Sequence, residues 1–221
     1  MGAKACADLV RTNKIELSEG QRILSFCNNA SPMFIISYIT IHCLGFTDKP
    51  YLFLFIIYGS AYLVGILEGF LGTWQVKGIH TLSLPYSTPL PNQEKSSLFR
   101  IIDNSIINGF ELLTKIGGYI ILFSLGAQII YDLPVIPNII KILLAGLLEI
   151  TTGSNAIVTA QLSKELEIVL IVALTAFGGL SSFAQTKSVI ADSGLSLKKY
   201  LVSKIINGLL AAFLTLIWLI N

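Results

Sequence analysis

The chain has 221 residues, 53% of them hydrophobic and only 13% charged, with a mean hydropathy of +0.74 and a formal net charge of +2. Soluble domains carry about 25% charged residues, so this composition excludes an ordinary soluble domain and indicates an all-α polytopic membrane protein, with the lipid bilayer as its first partner. The small charge, without a Lys/Arg-rich run, offers nothing to nucleic acid.

The first twenty residues, MGAKACADLVRTNKIELSEG, lack the continuous apolar core of a signal peptide. Cys6 stands where a myristoylation motif wants Ser or Thr. Ser18-Glu19-Gly20-Gln21 has the form of a capping box and starts a helix running to Cys27. There the apolar sequence is interrupted by Asn28-Asn29-Ala30-Ser31-Pro32. Ser31 suits an N-cap and Pro32 a first helical residue. The pattern predicts a broken helix over 18–46, with free backbone groups between its halves.

Residues 50–73 are long enough to span a bilayer, which takes about 20 apolar residues. A long loop at 74–103 contains Lys77, Lys95 and Arg100. Residues 104–131 form a second span, whose Glu111 and Lys115 put its first turns near an interface or a protein-lined cavity. The run 137–150 covers only part of a bilayer, meets Thr151-Thr152-Gly153-Ser154-Asn155 and continues as 155–163, the pattern of a re-entrant hairpin. Residues 166–178 and 182–192 flank Gly178-Gly179-Leu180-Ser181-Ser182 as the halves of a second discontinuous transmembrane helix, and 197–220 is the last span. Irregular backbone survives at membrane depth only inside protein or around a watered cavity. Loops at the membrane surface are the alternative reading of these breaks.

An offset of 150 lays Phe26 on Ala176, so that FCNNAS falls on AFGGLS, with Pro50-Tyr51 on Tyr200-Leu201 and Ala3 on Gly153. Both halves then read break, short helix, broken helix, whole helix. Residues 1–73 are the first, incomplete copy and 104–221 the second. The positive-inside rule puts 11–18, 74–103 and 193–199 in the cytoplasm, so the copies are antiparallel and form an inverted repeat. That architecture belongs to many secondary transporters, with a midplane site where the breaks converge. Half-helix N-termini suit a small anionic solute. Cys6, Cys27, Cys43, His42 and His80 show no metal-ligand spacing and no nucleophile–base pair is evident, so the sequence supports transport without cofactor or metal, and not an enzyme.

GAKACADLVRTNKIELSEGQRILSFCNNASPMFII, LLEITTGSNA and FGGLSSFAQTKSVI resemble the YlbJ (SpoVV) family of sporulation integral membrane proteins, within the wider nucleoside-transporter/Gate-domain group. The resemblance runs along nearly the whole chain and implies a role in endospore formation, moving dipicolinic acid across the outer forespore membrane. Dipicolinate is a small aromatic dianion, which fits convergent half-helix N-termini. Family members are longer, and their Gly-Ala-Lys follows a Gly-Tyr-Pro stretch inside a hairpin, whereas Met1 stands directly before Gly2 here. The chain is therefore expected to lack the first membrane segments and one hairpin arm, as a fragment, a split gene product or a misplaced start. A second chain would supply them, and a homo-oligomer is a further arrangement left open. An incomplete Gate-type module or scaffold that works only with a partner, or a permease for nucleosides or another small solute, is the alternative function.

Ligand contacts are expected from Asn28, Asn29 and Ser31, from Thr151, Thr152, Gly153, Ser154 and Asn155, and from Gly178, Gly179, Ser181, Ser182 and Gln185. Capping or close helix packing is the alternative role of each. Glu149 is a candidate for taking up a coupling proton, since intramembrane carboxyls are functional by default; a hydrogen bond holding the hairpin is the alternative. Lys187 either neutralises a carboxylate or snorkels to the interface. Glu68 is expected at the interface.

Overall fold

The structure, a computed structural model, describes residues 2–71 and 98–220. The expected loop at 74–103, with Lys77, Lys95 and His80, lies outside the described residues as far as 97, and its last residues, 98–103 with Arg100, are helical instead. Every regular element among the described residues is helical.

Helix α1 (Gly2–Arg11) is amphipathic and buries Ala3, Cys6 and Ala7 on one face, the i, i+3, i+4 spacing of a helix stripe. Helix α2 (Leu17–Cys27) does not use the expected capping box. Its N-cap is Glu16, and Gln21 is drawn away from the helix start, donating to Ser196 O at 3.2 Å and accepting from Ser196 N at 2.7 Å. Satisfying two backbone groups of a distant connection outweighs one local cap for a side chain that is 4% exposed.

After the break the chain restarts as expected, with Phe34 N donating to Ser31 Oγ at 3.2 Å. It then departs from an ordinary half-helix. Segment π1 (Phe34–Cys43) is π-helical, with Leu44 N bonded to Ile39 O at 3.0 Å and the Thr40 hydroxyl donating to Ile35 O at 2.9 Å. The backbone bond reaches back five residues, the spacing that widens the coil, and the Thr40 hydroxyl takes up the Ile35 carbonyl from the side.

The remaining helices are α3 (Leu52–Leu71), α4 (Leu98–Asp132), α5 (Asn138–Leu148), α6 (Ile150–Thr159), α7 (Lys164–Phe177), α8 (Gly179–Ile190) and α9 (Leu197–Ile220). Four stretches are long and apolar enough to cross a membrane: Leu52–Phe70, Leu98–Asp132, Lys164–Ile190 (α7 and α8 together) and Leu197–Ile220. Two of the expected breaks are shorter than the sequence pattern suggests. The hairpin turns at Glu149, and Thr151, Thr152, Gly153, Ser154 and Asn155 already lie in α6, because the Glu149 carboxylate accepts from Thr152 N at 2.9 Å and caps the helix one residue after α5 ends. The second broken helix is interrupted at Gly178 alone. Gly178 and Gly179 have φ of +98° and +69°, a backbone that glycine adopts without strain, so α7 closes through Gly178 N to Leu174 O and α8 begins at once. Ser181 and Ser182 are therefore in the first turn of α8.

Packing pairs the helices in a regular way. Helix α1 packs on α2 and α8, while α6 packs on α7 and π1; α2 packs on α3 and α9, while α7 packs on α9 and α3. Helices α3 and α9 also pack on each other, α3 on π1 and α9 on α8. Close approach needs small residues. A Cβ on Gly65 of α3 would lie 2.5 Å from Phe26 Cδ1, and one on Gly208 of α9 would lie 3.1 Å from Ala173 O and 3.3 Å from Phe177 Cβ.

Two apolar cores result. One gathers Ile35, Ile39, Phe53, Ile57, Ile171 and Val172, with Phe46, Phe53 and Trp218 in edge contacts. The other gathers Ala3, Cys6, Ala7, Leu24, Phe183 and Tyr200. Helix α9 runs through both: Tyr200 belongs to one core and Ala211 to the other, and between them on the same buried face come Lys204 and Asn207.

Candidate functional site

The first break is where the two cores meet, and there the buried side chains are polar. Asn28 Nδ2 donates to Thr186 Oγ1 of α8 and to Tyr200 OH of α9, both at 2.9 Å. Asn29 bridges the other way: its Nδ2 donates to Phe26 O at 2.7 Å, a carbonyl left over at the end of α2, and its Oδ1 accepts from Lys204 Nζ at 2.7 Å. Lys204 is 2% exposed, and its ammonium lies 5.9 Å from the Tyr200 ring centroid. The Lys204 amino group stands at the C-terminal end of α2, where a cation complements a helix dipole.

One helical turn further along α9, Asn207 accepts from Ser60 Oγ of α3 at 2.7 Å and donates to Ala176 O of α7 at 3.0 Å. The break itself is held by Tyr58 OH, which donates to Ala30 O at 3.0 Å.

The hairpin tip forms a second polar cluster. Glu149, 4% exposed, accepts from Thr152 N, from the hydroxyls of Thr151 and Thr152, and from Ser124 Oγ of α4 at 3.5 Å. The tip rests on the second break: a Cβ on Gly179 would lie 3.5 Å from the carbonyl oxygens of Leu147 and Leu148. Thr151 O accepts from Tyr38 OH of π1 at 3.2 Å. Nearby, Ser154 is fully buried and its hydroxyl has no hydrogen-bond partner among the described residues.

A polar cavity borders the first of these clusters. A cavity of ≈ 40 Å³ is lined by Asn28, Gln185, Thr186, Ser188, Lys4 and Lys115 among others. It shares Lys4, Lys115 and Ser188 with a wider one of ≈ 170 Å³ that adds Arg11, Asn108 and Glu111. Together they make one polar recess between α1, α4 and α8, with three cationic side chains and one carboxylate on its wall. Lys115 pairs with Glu111 at 2.6 Å, and Asp8 pairs with Arg11 at 3.1 Å. Two other hollows, of ≈ 430 and ≈ 380 Å³, are walled by Tyr62, Ile66 and Phe70 or by Leu143, Leu147 and Leu209, all exposed apolar residues. Their chemistry matches acyl chains, so the polar recess is the candidate site.

The structure thus brings Asn28 and Gln185 to the recess, with Asn29 behind it, and gathers Glu149, Thr151, Thr152 and Gly179 at the hairpin tip. Gly153 serves packing, since a Cβ there would lie 2.1 Å from Gly146 Cα. Ser181 is buried and accepts from Gln185 Nε2 at 3.1 Å, while Ser182 donates to Gly179 O at 3.0 Å. Ser31, Asn155 and Lys187 are exposed and line neither cavity. Glu68 accepts from Ser203 Oγ of α9 at 2.5 Å and is half-buried. Sequence reasoning missed Lys4, Thr186, Tyr200, Lys204 and Asn207. Lys204 carried a signal, as a lysine seven residues into an apolar span is a functional candidate by default.

No protein-family model and no solved structure matches the chain. Among curated proteins, the sporulation integral membrane protein YlbJ of Bacillus subtilis (strain 168) is 26% identical over an alignment of 252 positions. The match takes in 98% of this chain and 60% of that relative's length. The chain is a multi-pass helical membrane protein that resembles a sporulation integral membrane protein along nearly all of its own length.

Proposed function

We propose that this chain is a permease for a small anionic solute, or part of one, and that the solute is dipicolinic acid crossing the outer forespore membrane. The observation that carries this reading is the polar recess at the first break, where Lys4, Lys115, Asn28 and Gln185 face one space. Cations supply the charge a dicarboxylate needs, and the amides of Asn28 and Gln185, which donate to Thr186, Tyr200 and Ser181, put polar groups on the same wall. The sporulation relative supports the biological setting, and the chain spans about 60% of that relative's length.

The inverted repeat belongs to the same proposal, and the packing supports it. Exchanging α1 with α6, α2 with α7, π1 with α8 and α3 with α9 turns each packing pair named above into another of them, and returns α3–α9 to itself. The phenylalanine before each break, Phe26 or Phe177, abuts a glycine of the long helix that follows, Gly65 or Gly208. Two copies related in this way would rock against each other around a fixed central site.

Uptake of labelled dipicolinate into vesicles tests the reading, comparing the chain as given with one extended upstream. Uptake by either supports a permease, and uptake by the extended chain alone makes the added segments part of the machine. No uptake by either, with insertion verified, moves the reading to a module that acts with a partner chain. The exposed apolar residues all round α4, from Phe99 to Ile129, leave room for such a neighbour as well as for lipid.

A further inference from the structure

We infer that Lys204 is the fixed positive charge of an inner anion subsite at the Asn28-Asn29 break, assigned to a carboxylate group. The ammonium is enclosed and carries three donors, of which Asn29 Oδ1 takes one at 2.7 Å. No carboxylate pairs with it among the described residues. A buried charge without its opposite is strongly unfavourable, and in the proposed subsite an anion that comes and goes supplies that opposite. Tyr200 links the lysine to the recess: its ring lies 5.9 Å from the ammonium, and its hydroxyl accepts from Asn28, which lines the recess wall. Occupancy is also coupled to the break. Asn29 holds Phe26 O with its amide while its oxygen holds Lys204, so a carboxylate that takes the ammonium frees Asn29 and loosens the end of α2. The identity of the anion rests on the permease reading; the enclosed lysine at the break does not.

Cys27, half-buried and within electrostatic reach of Lys204, reports on that charge. In the chain carrying C6A and C43A, labelling of Cys27 by an anionic methanethiosulfonate is compared with labelling by its cationic counterpart, with and without dipicolinate, succinate or sulfate. We expect a preference of about tenfold for the anionic reagent, lost in Lys204→Gln and kept in Lys204→Arg, and protection by at least one anion that follows the same pattern. Asn29→Asp sets a carboxylate on the ammonium and removes both effects while keeping the lysine, which serves where Lys204→Gln fails to insert. A preference unchanged in Lys204→Gln or Asn29→Asp overturns the subsite, as does protection by none of the three anions. Protection by succinate and not by dipicolinate upholds the subsite and removes dipicolinate from the proposed function, and protection by sulfate alone overturns its assignment to a carboxylate.

Discussion

Ser60 on α3 donates a hydrogen bond of 2.7 Å to Asn207 on α9, and both side chains are fully buried. Asn207 also donates to Ala176 O, so one amide joins three membrane-spanning segments, α3, α7 and α9, at the point where the two apolar cores meet. In lipid an unpaired amide cannot fall back on water, which makes the junction sensitive to single substitutions.

Asn207→Leu removes both bonds and leaves the Ser60 hydroxyl without this acceptor. Interhelical hydrogen bonds in membranes contribute about 1–2 kcal/mol each at most, so we expect a loss of about 2 kcal/mol. Ser60→Ala should cost less, about 1 kcal/mol. Reversible unfolding in mixed micelles measures both, and equal losses would show that Asn207 does not act as a three-way junction.

The hairpin is limited by backbone contact. A Cβ on Gly153 would meet Gly146 Cα at 2.1 Å, which no rotamer change relieves, whereas a Cβ on Gly146 meets the Leu174 methyl at 3.2 Å. Gly153→Ala should therefore destabilise by about 1–3 kcal/mol, the usual cost of overpacking. Gly146→Ala should be milder, because a leucine side chain can move. Thermal melting of the two purified variants decides it.

Glu149 caps α6 through Thr152 N. Glu149→Ala should lose about 1 kcal/mol with the cap, whereas Glu149→Gln keeps an acceptor and should melt close to wild type. If Glu149 carries the coupling proton, the Gln variant folds normally yet its uptake no longer responds to an imposed proton gradient. A normal response in a folded Gln variant leaves Glu149 as a cap.

Asn28→Ala should lower dipicolinate uptake by about tenfold or more, since a lost bond to a charged group is worth roughly 1.5–3 kcal/mol, with insertion unchanged. Lys187→Ala should stay close to wild type, because Lys187 is exposed and outside the recess. Radiolabelled uptake normalised to membrane protein checks the pair, and a reversed order would relocate the site.

Both interruptions of the broken helices were legible as local chemistry. Asn28-Asn29 and Ser31-Pro32 cannot continue an apolar helix, and Gly178-Gly179 takes up left-handed backbone at no steric cost, so both show in a single chain. Which helices are long enough to cross was legible for the same reason, since apolar runs either reach across a bilayer or do not, although α4 starts at Leu98, inside the expected loop. The extent of each break was not. Thr151 to Asn155 look like a loop by residue type, but the helix starts wherever a cap is found, and Glu149 supplies one just before them.

By itself, then, the sequence determined that the chain lies in a membrane as helices, and where the backbone of those helices stops and restarts, because hydropathy, proline and glycine act over a few residues. Tertiary structure alone decided which polar groups meet. Asn29 finds Lys204 across 175 residues, Ser60 finds Asn207 across 147, and Gln21 leaves its own helix for Ser196. Such pairs form because no buried polar group in lipid can remain unpaired at low cost, and the partner that satisfies it is set by how the helices pack.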